Sequence, residues 1–518
     1  MSLPFPSLFS RGFKKISTNP LARIDLHKYQ FEIKSTSWCN CGALTLAKAI
    51  DKSKQDGMRG QETQIKIQSF REAAGKNAQQ FLEETRHHNY KTLWSYVVNG
   101  ILAIWLINQP FLLDYKSAAL MKSDIISGVI VILVEIIAFV PRFALLRWGT
   151  VAVAFWLLLA PLIFWSPTPA VYLIDTLMAC LFIAFAVLIP GLPGRAGIQL
   201  SGPDKPPGWS YNPSSWIRRW LGIALALIGF FLARYLAAHQ LGYIPHVWDP
   251  FFGGGSDRVT GSALSRSFPI SDAGFGAVAY MLEVLTGFMG SRARWRTAPF
   301  IAVTFAVLVI PLGATSILLV IMQPVVVGAW CGFCLVSAAA LLISVPLAVH
   351  ESIAVGQFLV LTYKQKKNFW QTFWLGGNVL GYEGKDPDRI PWSIRQRGAA
   401  SVQGVSLPWL IIVQAIVGVW LMVRPSILPF NIESANCDHW MGAIIVTVAA
   451  VAAAEVTRTA RFVNVIAGAM VLILTLVFSS ESTAVLISGI ASSVILIIAS
   501  IPRGVIVERY ASWNRLIK

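Results

Sequence analysis

Apolar runs of about 20 residues, long enough to cross a bilayer as helices, alternate with short polar connections from residue 94 to residue 502. The pattern predicts twelve spans, at roughly 94 to 113, 124 to 142, 146 to 165, 172 to 190, 217 to 238, 273 to 290, 298 to 322, 325 to 348, 408 to 424, 438 to 455, 459 to 478 and 484 to 502. Residues 1 to about 92 are polar and mixed in charge. There Phe5, Leu8, Phe9, Phe13 and Ile16 recur near helical spacing among Arg11, Lys14 and Lys15, which suits either a short helix on an anionic leaflet or a basic tail. A broken apolar stripe of Ile65, Phe70, Ala74, Phe81 and Leu82 predicts a helix over 62–90.

Composition agrees with the pattern. Of 518 residues 55% are hydrophobic and only 13% charged, with a mean hydropathy of +0.60, which excludes an ordinary water-soluble enzyme. The fold class expected is an all-α polytopic membrane protein. The net charge of +17 carries no motif of a nucleic-acid-binding module, so no nucleic acid is expected as a partner. Its bases fall instead between spans: Arg142 and Arg147; Arg195, Lys205, Arg218 and Arg219; Arg292, Arg294 and Arg296; Lys364 to Arg397; Arg458 and Arg461; Arg503 to Arg515. Alternate loops are poorer in base. By the positive-inside rule this puts both termini in the cytoplasm, in keeping with an opening that lacks a signal-peptide core.

Self-comparison reveals a repeat. Trp105-Leu-Ile-Asn-Gln-Pro110 recurs as Trp156-Leu-Leu-Leu-Ala-Pro161 and Trp420-Leu-Met-Val-Arg-Pro425, followed by Asp124, Asp175 and Asp438, and a degenerate fourth copy starts near Gly468. The expected unit is a helix hairpin in which Trp sits at the interface, Pro stops the helix and Asp caps the next one. The hairpins resemble bacterial membrane modules named for a Ser-Pro-Trp (SPW) repeat, although Gln109, Ala160 and Arg424 precede the prolines here. The organisation expected is a cytoplasmic region at 1–92, two hairpins at 93–195, a distinct four-span block at 207–365, a cytoplasmic linker at 366–405, two further hairpins at 406–504 and a cytoplasmic tail at 505–518.

The central block holds Trp330-Cys331-Gly332-Phe333-Cys334 at the outer end of a span. Cysteines three apart share a helix face at a separation that a disulfide can close. Helix dipoles at an N-terminus favour a thiolate, which makes Cys331 the expected nucleophile. The pair can exchange electrons with thiols or with a membrane quinone; a structural thiol pair is the plain alternative. A zinc site lacks a second Cys-x-x-Cys or a nearby His pair, since His350 falls at the opposite end of the span.

Around the pair stand Gly208-Trp209-Ser210-Tyr211-Asn212-Pro213, Trp248-Asp249-Pro250-Phe251-Phe252-Gly253, Phe268-Pro269-Ile270-Ser271-Asp272-Ala273-Gly274-Phe275-Gly276 and Arg294-Trp295-Arg296. With the four-span layout they make the block resemble the vitamin K epoxide reductase family in its bacterial form. That resemblance implies a four-helix bundle around a quinone, with Cys331 and Cys334 as redox pair. It also implies Asp272 as hydrogen-bond partner of the quinone oxygen, and Phe275, Gly276, Tyr280 and Trp330 beside it. Read from the residues alone, Asp272 is equally a helix N-cap. Family members relay electrons through a second cysteine pair in the loop after their first helix, and residues 241–272 here contain no cysteine. Another thiol, or an external thioredoxin-like redox protein acting directly on the pair, would have to substitute, or the thiol chemistry is lost.

Cys180 mid-span and Cys437 at a helix start beside Asp438 fit packing roles, and the Cys39-x-Cys41 pair on the cytoplasmic side is at most a weak metal site. Glu135 and Glu283 fall inside spans, where an unpaired charge costs about 2.5–3.5 kcal/mol, so both should face the interior, protonated or paired. Arg292 or Arg294 is within reach of Glu283, and proton supply to a quinone is its functional alternative. The function expected is a membrane thiol:quinone oxidoreductase, most simply in a bacterial inner membrane. A non-catalytic scaffold or sensor built on a degenerate bundle is the second reading. A solute transporter is the third, and no discontinuous Gly-rich helix pair supports it.

Overall fold

The structure is a computed structural model, and it describes residues 93–113, 115–187, 203–377, 393–478 and 482–517. The chain divides into two compact units, Met1–Glu84 and Thr85–Lys518, and every described residue lies in the second. The helix expected over 62–90, the opening stretch read as either a short helix or a basic tail, and the Cys39–Cys41 pair lie outside the described residues.

Twelve long helices are present among the described residues, and no strand. They are α1 (Leu93–Leu112), α2 (Ala118–Ala138), α3 (Arg147–Ile163), α4 (Pro169–Ala186), α5 (Trp216–Gln240), α6 (Asp272–Phe288), α7 (Pro299–Met322), α8 (Gly332–Lys364), α9 (Trp409–Val423), α10 (Ile432–Ala453), α11 (Arg461–Val477) and α12 (Thr483–Ser500). The protein is an all-α polytopic membrane protein. Among the described residues nine helices are long and apolar enough to cross a bilayer, and ten if the pair Gly255–Ser267 and Asp272–Phe288, bent by 90°, counts as one span. The shortfall from twelve has a local cause. Helix α2 carries Lys122, Asp124 and Glu135, and α3 has only 17 residues.

The helices pack in three groups of four. Leu106, Val131, Leu157 and Phe182 join α1 to α4. Phe230, Tyr280, Phe305 and Leu341 join α5 to α8, and Val417, Ile445, Val471 and Leu496 join α9 to α12. Lipid tails are as apolar as leucine, so helices associate here through close packing, with small residues admitting close backbone approach. Gly418 and Gly442 show this: a Cβ on Gly418 would stand 2.8 Å from the Gly442 carbonyl oxygen.

The repeat tryptophans sit part-exposed, and two of them tie neighbouring hairpins together. Trp156 Nε1 donates to Ser123 Oγ at 2.9 Å, and Trp420 Nε1 to Ser488 Oγ at 3.1 Å. The prolines and aspartates act differently from expectation. Pro161 lies inside the last turn of α3 rather than after it. Ser117 and Asn431 cap α2 and α10, while Asp124, Asp175 and Asp438 are each the seventh residue of their helix and are buried. Each helix starts about two turns earlier than an aspartate cap would require, because Ser117, Pro169 and Asn431 are better starting residues.

Three buried arginines settle into pairs with carboxylates, Arg147 with Glu135, Arg294 with Glu351 and Arg424 with Asp438. Arg147 Nε lies 3.0 Å from Glu135, which also accepts from Asn99 and Thr150. Arg294 grips Glu351 with two contacts of 2.5 Å, and Ser214 donates to the same carboxylate. Arg294 is therefore not the partner of Glu283, whose two carboxyl oxygens have no hydrogen-bond partner. The Arg294-Trp295-Arg296 turn is anchored further by Trp295 Nε1 on the Asp204 carbonyl at 2.7 Å and Arg296 Nε on the Pro203 carbonyl at 2.8 Å. At the same end Tyr510 of the C-terminal segment is fully buried and donates to Glu455 at 2.9 Å.

Candidate active site

Helix α8 begins where the chain is forced to break. The π-helical turn Gln323–Val327 ends at Gly328, whose φ of +67° is a left-handed conformation suited to glycine. The next residues run extended, and Cys331 takes the N-cap of α8 with φ −111° and ψ 113°. Its sulfur accepts the Cys334 amide at 3.2 Å, so the thiol occupies the place of a capping oxygen at the positive end of a long helix. The span expected at 325–348 thus starts at Gly332 and runs on to Lys364, because the polar His350 and Glu351 find partners inside the protein.

The 241–271 loop clamps this helix start. Asp249 accepts the Phe251 and Phe252 amides on Oδ1 at 2.9 and 3.1 Å, and Ser256 Oγ and the Gly332 amide on Oδ2 at 2.6 and 3.1 Å. Against the desolvation that would raise it, these donors hold the Asp249 carboxyl below its ordinary value. Gln323 accepts the Cys331 amide at 3.0 Å. The fit excludes side chains at two glycines: a Cβ on Gly255 would stand 2.1 Å from the Trp330 carbonyl oxygen, and one on Gly332 2.7 Å from Asp249 Oδ1.

Cys331 is completely enclosed and Cys334 partly so, and both thiols are free. Leu236, Val247, Val259 and Ala273 pack around them with Tyr235 and Phe333. The hydrogen bond from the Cys334 thiol pulls Cys331 below the ordinary thiol value against the opposing effect of burial, and Ser256 and the Cys334 amide add to it. The arrangement provides a thiolate-prone sulfur, a second thiol one turn on, and an apolar shell.

The structure brings some of the expected residues to the cysteines and not others. Asp272 is close, next to Ala273 of the apolar shell, but it does not cap α6. Ser271 does, accepting the Gly274 amide at 2.9 Å. Asp272 Oδ1 instead accepts from Ser265 at 2.9 Å and from Gln240, forming a small polar cluster. Gly276 faces α5, where its Cβ would lie 3.9 Å from Ala233. Tyr280, two turns along α6, is buried against Gly229 and donates to the Ser337 carbonyl at 3.4 Å. Phe275 is 51% exposed on the outer side of α6, and Trp330 turns toward His439 of α10, ring centroids 5.7 Å apart. Sequence reasoning does not single out Ser256, Gln323 or Gln240, since their partners Asp249, Cys331 and Asp272 lie 7, 8 and 32 positions away and leave no local signal.

No curated protein and no solved structure matches this chain. Residues 220–349, which run from α5 into α8 and include both cysteines and the clamping loop, match the model of the Vitamin K epoxide reductase family. The central bundle of this membrane protein is thus a vitamin K epoxide reductase-like domain.

Proposed function

We propose that the central bundle is a thiol:quinone oxidoreductase in which Cys331 and Cys334 are the redox pair. The observation that carries the reading is the Cys331 sulfur at the helix N-cap, 3.2 Å from the Cys334 amide and enclosed by apolar side chains. Closing the Cys331–Cys334 bond releases one electron pair and two protons. A bound quinone supplies the two-electron, two-proton acceptor. The residues present suit such a group: Tyr235, Phe333, Leu236 and Val247 offer an apolar wall, and the Asp272, Gln240 and Ser265 cluster offers polar atoms for a ring oxygen. In this reading Asp272 would hold a quinone oxygen by hydrogen bond, and Phe275, Gly276, Tyr280 and Trp330 would be the further residues that bind the group.

Residues 241–271 contain no cysteine, so electrons reach the pair from another chain, a thioredoxin-like redox protein. Cys331 is enclosed, and reduction of the Cys331–Cys334 disulfide by a partner's dithiol, which leaves the partner as the disulfide, requires the 249–256 loop to lift from residues 330–332. The flanking SPW-like hairpins brace the bundle in a bacterial plasma membrane with both termini cytoplasmic. Reduced protein in lipid vesicles given oxidised quinone tests the reading. Free thiols titrated at Cys331 and Cys334 should fall by two for each quinol formed, and Cys331→Ser and Cys334→Ser should each abolish both changes. Unchanged thiols in the wild type would leave the scaffold reading in place.

A further inference from the structure

We propose that Asp124 and Asp175 form a proton-binding site in the first bundle, holding one exchangeable proton between their carboxyl groups. The site stands apart from the thiol chemistry. The two side chains come from α2 and α4, are each 0% exposed, and are joined through one chain of hydrogen bonds by Gln109 and Tyr115. Tyr115 donates to Asp124 Oδ2 at 2.5 Å, and Gln109 Nε2 to Asp175 Oδ1 at 2.9 Å and to the Tyr115 hydroxyl. Among the described residues no donor reaches Asp124 Oδ1 or Asp175 Oδ2. Two ionised carboxylates so linked inside a low-dielectric interior repel strongly and both forgo hydration. One proton between the orphaned oxygens removes the repulsion and satisfies both atoms, as in other paired carboxyls. The remaining negative charge is spread over acceptors already held by Tyr115 and Gln109.

Among the described residues no basic side chain forms an ion pair with either aspartate. Gln109 approaches from α1, Tyr115 from the turn before α2, and Tyr243 from the loop after α5, where its hydroxyl is on the Ser166 carbonyl at 2.7 Å. Arg234 of α5 comes to α4, but it donates to Thr176 Oγ1 at 2.9 Å and covers the Tyr172 ring at 4.1 Å. The last bundle resolves the same repeat position differently. Asp438 corresponds to Asp124, and Arg424 corresponds to Gln109 and grips Asp438 with contacts of 2.5 and 2.7 Å. A covalently attached cation neutralises one site, and the other is left to a mobile one. Two orphaned oxygens suit a proton, whereas hard metal cations require about six or more oxygen ligands. Tyr115, half-buried at the helix ends, links the pair to the surface.

Infrared difference spectra of the full chain in lipid bilayers, titrated from acidic to alkaline pH without added alkali salts, read the proton directly. The wild type should show a carboxylic acid band persisting above the pH at which exposed carboxyls ionise. That band should be lost or displaced in Asp124→Asn and in Asp175→Asn, and shifted in Tyr115→Phe, which keeps both carboxyls. A band unaltered in the two asparagine variants overturns the proposal, as does one that vanishes at constant pH when sodium chloride is added. Should the asparagine variants fail to fold, an unshifted band in Tyr115→Phe overturns it.

Discussion

Asp249 and Gly332, 83 residues apart in the chain, meet where the Gly332 amide donates to Asp249 Oδ2 at 3.1 Å. This contact fastens the loop after α5 to the first turn of the cysteine helix. With no Cβ on Gly332, nothing stands between the carboxylate and the amide.

Gly332→Ala should therefore loosen the clamp. The new methyl group would stand 2.7 Å from Asp249 Oδ1 and 2.8 Å from the Phe251 ring, and separating them leaves buried amides short of an acceptor, a cost of about 1–3 kcal/mol. The expected outcome is a lower Tm together with faster modification of Cys331 by a membrane-permeant maleimide. An unchanged modification rate would show that the clamp does not enclose the thiol.

The pH dependence of Cys331 follows from its depressed ionisation. The thiolate is the reactive form, so a lowered pKa keeps Cys331 reactive at pH values where an ordinary thiol, with a pKa of about 8.5, is protonated. Alkylation rates measured against pH should give a midpoint below that value. Removing the thiol donor with Cys334→Ala should move the midpoint upward. A midpoint unaffected by that change would count against the hydrogen bond as its main cause.

The two-pronged Arg424–Asp438 pair is buried, and removing one partner strands the other. Arg424→Met should cost about 3–5 kcal/mol, whereas the double replacement Arg424→Met with Asp438→Leu should recover most of it. Thermal unfolding of the three proteins in one detergent separates the outcomes. Additive losses in the double variant would mean that the ion pair is not the interaction being broken.

Glu283 presents the opposite case, a buried carboxyl with no hydrogen-bond partner on either oxygen. Glu283→Met, which keeps the volume and removes the polar atoms, should raise stability by about 1–3 kcal/mol. A lower Tm would reveal a partner for this carboxyl.

The sequence by itself determined the helical class, the existence and order of the long helices, the repeat, and the placement of Cys331 and Cys334 at a helix start, while the ends of helices such as α2, α8 and α10 lay six to sixteen residues from those expected. These are local properties: hydropathy is summed along one segment, and the caps and breaks act over a single turn. Tertiary structure alone decided which charge meets which. Arg294 chose Glu351 over Glu283, Asp124 met Asp175 while Asp438 met Arg424, and Asp249 reached Gly332. It also turned Phe275 outward and moved the repeat aspartates from helix caps to interior sites. The physical reason is that a side chain's partner depends on the rotation and neighbour of its helix, which are set by packing across the whole bundle, whereas a span announces itself within its own twenty residues.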